Sequence, residues 1–278
     1  MKLRRFRVDS TQVRGGVALI EGEAAHHIRH VLRLKPGQLV ELFDGEGNEW
    51  VGQVERVEKR AVQVRIETQH FTAAPLEGPR VVLLLSLARG SHTDLAIQKT
   101  TELGVSEIRL FMSERTVAVA RPGGDPVRLD RLERIATDAA RQSGRAHVPA
   151  VRTALPFRDV LDDLEGGELR VMLWEGEHTH AYADVLRAWD TSRPLVLLVG
   201  PEGGFTEDEV EAARQAGFER VHVGPFILRT ETAAIAAVAA ARILAPAPGA
   251  PIAVVPEDQL DEPEEPDDSP EPLDDEGG

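Results

Sequence analysis

The sequence predicts an α/β fold with a parallel sheet covered on both faces, preceded by a small β-rich domain. Three observations carry this. The hydrophobic period is short and alternating from Gln38 to Glu67, then switches after about residue 80 to buried strands separated by helical segments. Strands that alternate with helices argue for a parallel sheet buried on both sides. The tripeptide Val-Gly-Pro also recurs at 199–201 and 223–225, each time closing a strand.

Taken in order, the basic start MKLRRFRVDS has no apolar stretch behind it and does not read as a signal peptide. GEAAHHIRHVLRLKPG reads as a short helix ended by Pro36-Gly37. QLVELFDGEGNEW holds a strand, an Asp44-Gly45 turn and a second strand. EWVGQVERV and AVQVRIE alternate as half-buried strands do. Thr68–Arg80 has the turn-formers of a linker. Beyond it VVLLLSLA is a buried strand, and SHTDLAIQKTTELG a helix with Ser91 or Thr93 as cap and Gly104 as stop. EIRLF, LRVMLWE, LVLLVG and RVHVG are further strands. RLDRLERIATDAARQSG, AYADVLRAW and EDEVEAARQAG are helices, and an Ala-rich helix follows Thr230, its expected cap. The units are expected at 1–70, with a linker at 71–80, then 81–246 and a tail at 247–278.

Charge divides the chain. The net charge is −15, but Glu257–Gly278 holds 12 acids and no Lys or Arg, so the rest is nearly neutral. That tail is Pro-rich, acidic and almost free of large apolar residues, and is expected to be disordered. The first 35 residues hold eight Lys/Arg against three acids. There is no Cys, which excludes disulfides, a thiolate nucleophile and Cys-ligated zinc. His26 and His30 have helical metal-ligand spacing, but no H-E-x-x-H pattern or third ligand accompanies them, so no metal is expected. The longest apolar segment, Ala233–Ala245, is interrupted by Arg242 and too short to span a bilayer. These features are those of a cytoplasmic protein with no membrane partner.

Ligands of parallel α/β sheets bind at the carboxyl ends of the strands. Three such ends stand out: MLWEGE, VGPEGGFTEDE and VGPFILRTETAA. Thr206 and Glu209 form a T-x-x-E capping box, so Gly203 and Gly204 lie just before a helix start. The dinucleotide and P-loop patterns are absent, and Pro201 removes an amide that a phosphate nest would use. The loops suit an uncharged base and a sulfonium better than phosphates.

LLVGPEGGFTEDEV and VGPFILRTETAAIAAVAAARIL, with HHIRHVLRLKPG, ARGSHTDLAIQKTTELGV and AARQSGRAHVPAV, closely resemble the RsmE-type 16S ribosomal RNA uridine N3-methyltransferases of the SPOUT superfamily. The resemblance spans Met1 to about Leu244. It implies a PUA-like RNA-binding barrel, a SPOUT domain that binds S-adenosyl-L-methionine in a C-terminal deep trefoil knot, and a homodimer acting on the small ribosomal subunit. Family members often carry an acid where this chain has Arg141, and Arg where it has Phe226.

The resemblance implies a cofactor set of Leu173, Trp174, Val199, Gly200, Pro201, Glu202, Gly203, Val223, Gly224, Ile227, Leu228, Arg229 and Thr232. A bulky side chain at Gly200 is expected to block that pocket. Arg229 is the candidate cation for a uracil anion, and Glu231 and Glu202 are candidate bases or positioners. Glu231 reads equally well as a carboxylate on a helix dipole, and Glu202 as a partner of loop amides. The RNA-facing set is Arg4, Arg5, Arg7, His26, His27, Arg29, His30, Arg33 and Arg145, with an ordinary solvated face as the competing reading of the helix His26–Arg33. Two rival functions stay open: a methyltransferase fold that binds a different RNA or has lost catalysis, and a nucleotide-binding enzyme of ordinary Rossmann topology.

Overall fold

The computed structural model describes residues 3–72, 78–89, 91–116, 129–176 and 180–245. The acidic tail and residues 73–77 of the expected linker lie outside the described residues.

The amino-terminal unit is a six-stranded sheet made of β1 (Arg4–Arg7), β2 (Val13–Arg14), β3 (Val17–Glu21), β4 (Leu39–Phe43), β5 (Asn48–Val57) and β6 (Ala61–Phe71), in the order β1-β4-β5-β6-β3-β2. Only β1 and β4 run parallel. Alternate residues of β3, β4 and β6 (Ala18, Ile20, Val40, Leu42, Val62, Val64) meet Ile28 in one core, as a period of two requires. A short helix α1 (Gly22–His26) continues through a π-type turn, His27–Val31. It ends earlier than Pro36-Gly37 suggests, because Arg33 turns the chain at φ 49°.

The carboxy-terminal unit is a seven-stranded, wholly parallel sheet. Its strands are β7 (Val81–Ser86), β8 (Glu107–Met112), β9 (Ala150–Pro156), β10 (Leu169–Leu173), β11 (His180–Ala181), β12 (Leu195–Val199) and β13 (Glu219–His222), in the order β11-β13-β10-β12-β7-β8-β9. Helices α2 (His92–Glu102), α3 (Leu129–Ser143), α5 (Tyr182–Arg187) and α7 (Thr230–Leu244) cover one face. Helices α4 (Phe157–Asp162) and α6 (Glu207–Gln215) cover the other. Along β7 the side chains of Val81, Leu83 and Leu85 join the first core and those of Val82 and Leu84 the second.

Two expected caps act differently. Thr93 is not at the N-cap of α2; its hydroxyl accepts from the Ala88 amide at 3.0 Å and so shapes the preceding loop, while Ser91 makes no side-chain cap bond. Thr230 is the first residue of α7 rather than its cap, since Arg229 holds the extended N-cap position; the Thr230 hydroxyl donates to the Gly200 carbonyl at 2.9 Å. Gly104 does end α2, at φ 97°, a conformation open chiefly to glycine.

The two sheets clasp through one loop each. The Val148 amide donates to Gly45 O at 3.0 Å, the Gly47 amide donates to Ala146 O, and the Arg7 guanidinium reaches Thr137 Oγ1 on α3 at 2.9 Å. Gly45 sits at φ 86°, and a Cβ there would come within 2.9 Å of Val148.

Candidate cofactor pocket and RNA-facing surface

A cavity of about 280 Å³ opens at the carboxyl edge of the sheet, where the chain leaves β10, β12 and β13 and enters α7. Each wall has a local cause. The Trp174 amide donates to Val221 O at 2.9 Å, extending the β10–β13 pairing past the strand end. The Gly204 amide closes a turn onto Pro201 O at 2.9 Å, with Gly204 at φ 69°. The capping box at Thr206 and Glu209 is complete. Glu209 does more than cap: it is buried and also accepts from the Glu114 amide at 2.9 Å and the Ser113 hydroxyl at 3.1 Å, tying α6 to the loop after β8. Arg115 holds the glycine loop from outside by donating to Gly203 O at 3.2 Å.

Of the residues expected around a cofactor, Leu173, Trp174, Val199, Gly200, Pro201, Val223, Gly224, Ile227 and Leu228 line this cavity. Glu202, Gly203, Arg229 and Thr232 stand outside its wall and are exposed. The sequence reading missed Glu175, Gly204, Phe205, Val221, His222, Pro225, Phe226, Thr230 and Ala233, which also line it. Gly204, Thr230 and Ala233 were foreseeable, since they neighbour loop residues already singled out. Phe205 has no such signal: it is buried, its ring centred 5.8 Å from that of Phe157 and 6.4 Å from that of Phe111.

The expectation for Gly200 needs correcting. A Cβ there would fall 2.5 Å from the Phe205 ring, so substitution would disturb the wall before it filled the cavity. Gly224 is the better probe. A Cβ there meets nothing within 4 Å. Gly224→Val is therefore expected to keep the parent's thermal unfolding midpoint within a few degrees while abolishing calorimetric binding of S-adenosylhomocysteine; binding at parental affinity would show that this cavity is not the cofactor site.

The candidate bases separate. Glu231 is buried, with Oε1 paired to His92 Nδ1 at 2.8 Å and Oε2 buried without a partner. It faces α2 and is not among the residues that line the cavity, an arrangement that suits the positioning role better than that of a base. Glu202 is exposed, and its carboxylate accepts from the Arg89 amide at 3.4 Å, joining the loops after β7 and β12. Arg229 is exposed, and among the described residues its side chain has no hydrogen-bond or ion-pair partner.

The basic set divides as well. Arg5 is buried, stacked 4.4 Å over the Phe43 ring and paired with Glu41 at 3.3 Å and Glu49 at 2.7 Å. Arg145 donates to the Thr101 and Val105 carbonyls at 3.0 and 2.8 Å, fastening the turn after α2. Both side chains are thus engaged within the fold. Arg4, Arg7, His26, His27, His30 and Arg33 are exposed; Arg29 is half-buried and donates to Lys59 O at 2.9 Å. The His26 and His30 rings lie 4.5 Å apart. Desolvation, then the charges of His26 and Arg29, lower the His30 pKa below the ordinary imidazole value.

The RNA methyltransferase domain family matches residues 76–242, and the RNA methyltransferase PUA domain family matches residues 20–67. A Mycobacterium tuberculosis protein named ribosomal RNA small subunit methyltransferase E is 32% identical over 247 residues, 86% of this chain and 91% of its own length. The chain belongs to the ribosomal RNA small subunit methyltransferase E family. Solved structures agree with the methyltransferase in fold. The Neisseria gonorrhoeae family member, solved bound to S-adenosyl methionine, superposes with a TM-score of 0.77 at 32% identity, covering 87% of this chain and 98% of that one. A Legionella pneumophila methyltransferase, solved in complex with the same cofactor, gives a TM-score of 0.78 at 27% identity with the same coverage. No described helix of the methyltransferase is long and apolar enough to cross a membrane.

Proposed function

We propose that this S-adenosylmethionine-dependent ribosomal RNA methyltransferase acts on N3 of a uridine in 16S rRNA within the small ribosomal subunit. The observation that carries the reading is the cavity formed by the three strand ends and the start of α7. Its walls are backbone and largely apolar side chains, with Glu175, His222 and Thr230 as the polar ones, and the open space over Gly224 leaves room for a ligand pressed against backbone. Such a site fits a cofactor with an uncharged base and a sulfonium. The cofactor, when bound, supplies a methyl group on positively charged sulfur.

The chain's own residues supply alignment, charge and closure. Holding donor and acceptor in line removes much of the entropic barrier. N3–H is weakly acidic; its proton passes to the Glu202 carboxylate or to water, and Arg229, exposed in the loop beside the cavity, stabilises the uracil anion that forms. Glu202 is the exposed carboxylate available to position the base. Glu231 positions α7, through His92, and so holds Thr230 against Gly200. Because N3 is the Watson–Crick donor, the uridine must be unpaired and out of its stack. Arg4, Arg7, His26, His27, His30 and Arg33 form the surface for RNA phosphates, which fix register while base contacts specify. We place the RNA-binding unit at 1–70 and the methyltransferase unit at 81–246. A C-terminal trefoil knot, a homodimer and a cytoplasmic location complete the reading. The pairing of β13 with both β10 and β11 supports the knot.

The test uses small ribosomal subunits from a strain lacking the enzyme, labelled cofactor, and mass spectrometry of the nucleosides. N3-methyluridine at one position per subunit is expected, with naked 16S rRNA a poorer substrate. Methyl transfer to another atom, or none to subunits, would overturn the proposal.

A further inference from the structure

We infer that the ring of Phe226 is the stacking platform for the pyrimidine that receives the methyl group. The inference rests on the methyltransferase reading of the pocket.

Phe226 lies between β13 and α7, lines the mouth of the cavity, and is 80% exposed. The other phenylalanines in this half of the chain, Phe111, Phe157, Phe205 and Phe218, are all buried; Trp174 on the same cavity is half-buried, and Ile227, next in the chain, is 82% exposed. A phenyl ring left in water at the rim of a site is apolar surface without a partner inside the molecule. Arg229, three residues on, is an exposed cation equally without a partner among the described residues. An exposed aromatic and an exposed cation in one loop are the groups with which proteins hold single-stranded nucleic acid: a ring stacks on a base and a cation meets phosphate or carbonyl oxygen.

The place of the ring selects its occupant. An acceptor nitrogen has to come into contact with the methyl group, so the base that carries it must enter at this mouth. An extruded base has lost both stacking neighbours, and an aromatic side chain replaces one of them. A second copy of this chain is the rival occupant. It fits less well, since a second copy seated on Phe226 would cover the opening through which the base has to reach the cavity.

The experiment measures single-turnover methyl transfer to small subunits, against subunit concentration, for the parent and for Phe226→Ala, Phe226→Leu and Phe226→Trp. A parent without transfer would refute the methyltransferase reading itself. With an active parent, Ala is expected to lower the ratio of maximal rate to half-saturating concentration roughly 5- to 100-fold, the range that loss of one base–aromatic stack gives. Leu, with similar apolar bulk and no π face, should fall with it, and Trp should stay within a few-fold of the parent. The dependence of half-saturation on salt should be the same in Ala and parent, because no phosphate contact is lost. Since the side chain is exposed, thermal midpoints should not move. Restoration by Leu, an unchanged ratio in Ala, a loss of S-adenosylhomocysteine affinity as large as the loss of transfer, or a change of sedimenting mass in Ala would each overturn the inference.

Discussion

Replacing Arg229 by alanine is expected to slow single-turnover methyl transfer at saturating subunits by about 10²- to 10³-fold, a loss of ~2.7–4 kcal/mol in transition-state stabilisation. S-adenosylhomocysteine binding should be spared, because Arg229 stands outside the cavity wall. The magnitude follows from where charge develops. Uracil becomes an anion as N3 loses its proton, and a cation already in place at the pocket edge lowers the energy of that state more than of the neutral base. Lysine should restore part of the rate, since it keeps the charge but not the guanidinium's planar fork. A parental rate in Arg229→Ala would remove the residue from the chemistry.

The second large effect lies at the other end of the sheet. Glu107, buried at the start of β8, gathers three guanidiniums: Arg109 Nε at 2.8 Å, Arg80 at 2.8 Å and Arg152 at 2.5 Å. Arg109 is itself buried. Glu107→Ala strands that charge, and removing one partner of a buried pair costs ~3–5 kcal/mol. The low end of that range is expected, because Arg109 still donates to the Asp163 carbonyl and carboxylate at 2.7 and 3.0 Å. The readout is the urea midpoint, with cofactor affinity of the folded protein unchanged. A midpoint equal to the parent's would show that the cluster contributes nothing net.

The same cluster sets an acid limit. Desolvation raises the Glu107 pKa, but hydrogen bonds from Arg109 and Arg80 outweigh it and hold the carboxyl below its usual value of 4.5. A depressed folded-state pKa contributes stability that is complete above the unfolded value and is lost as pH falls through the folded one. Stability should therefore fall below about pH 4.5 in the parent, and Glu107→Gln should flatten that part of the profile. An equally steep fall in the variant would assign the acid limit to other carboxylates.

Much of the fold was legible in the sequence because it is written in local signals. The change of hydrophobic period separated two sheets. The T-x-x-E pattern located α6, and Gly104 ended α2. What escaped was set by partners far away in the chain. RRFR was read as a basic start, yet it is an edge strand whose Arg5 is neutralised by glutamates on β4 and β5. No local pattern in residues 4–7 announces that. Ala150–Pro156 is the outermost strand of the parallel sheet and was not read as a strand at all. At the site, loops that close strands named half of the cavity lining, because backbone geometry follows from glycine and proline. The pairing of Glu231 with His92 and the burial of Phe205 depend on helices and strands that only the folded chain brings together.

The sheet order has a consequence for the timing of synthesis. β13 is the last strand made, yet it occupies an inner position, between β10 and β11. A ribosome delivers β7 through β12 before it delivers β13, so the nascent sheet carries a vacant slot one place in from its edge. The pocket walls come from the ends of β10 and β12 and from the segment that begins in β13 and ends at Ala233. A chain still lacking residues 219–233 has no place to hold a methyl donor, however well its earlier strands have paired. Closing the slot demands contacts between segments remote in sequence, which fold slowly. Binding competence is thus withheld until translation of the catalytic unit is all but finished.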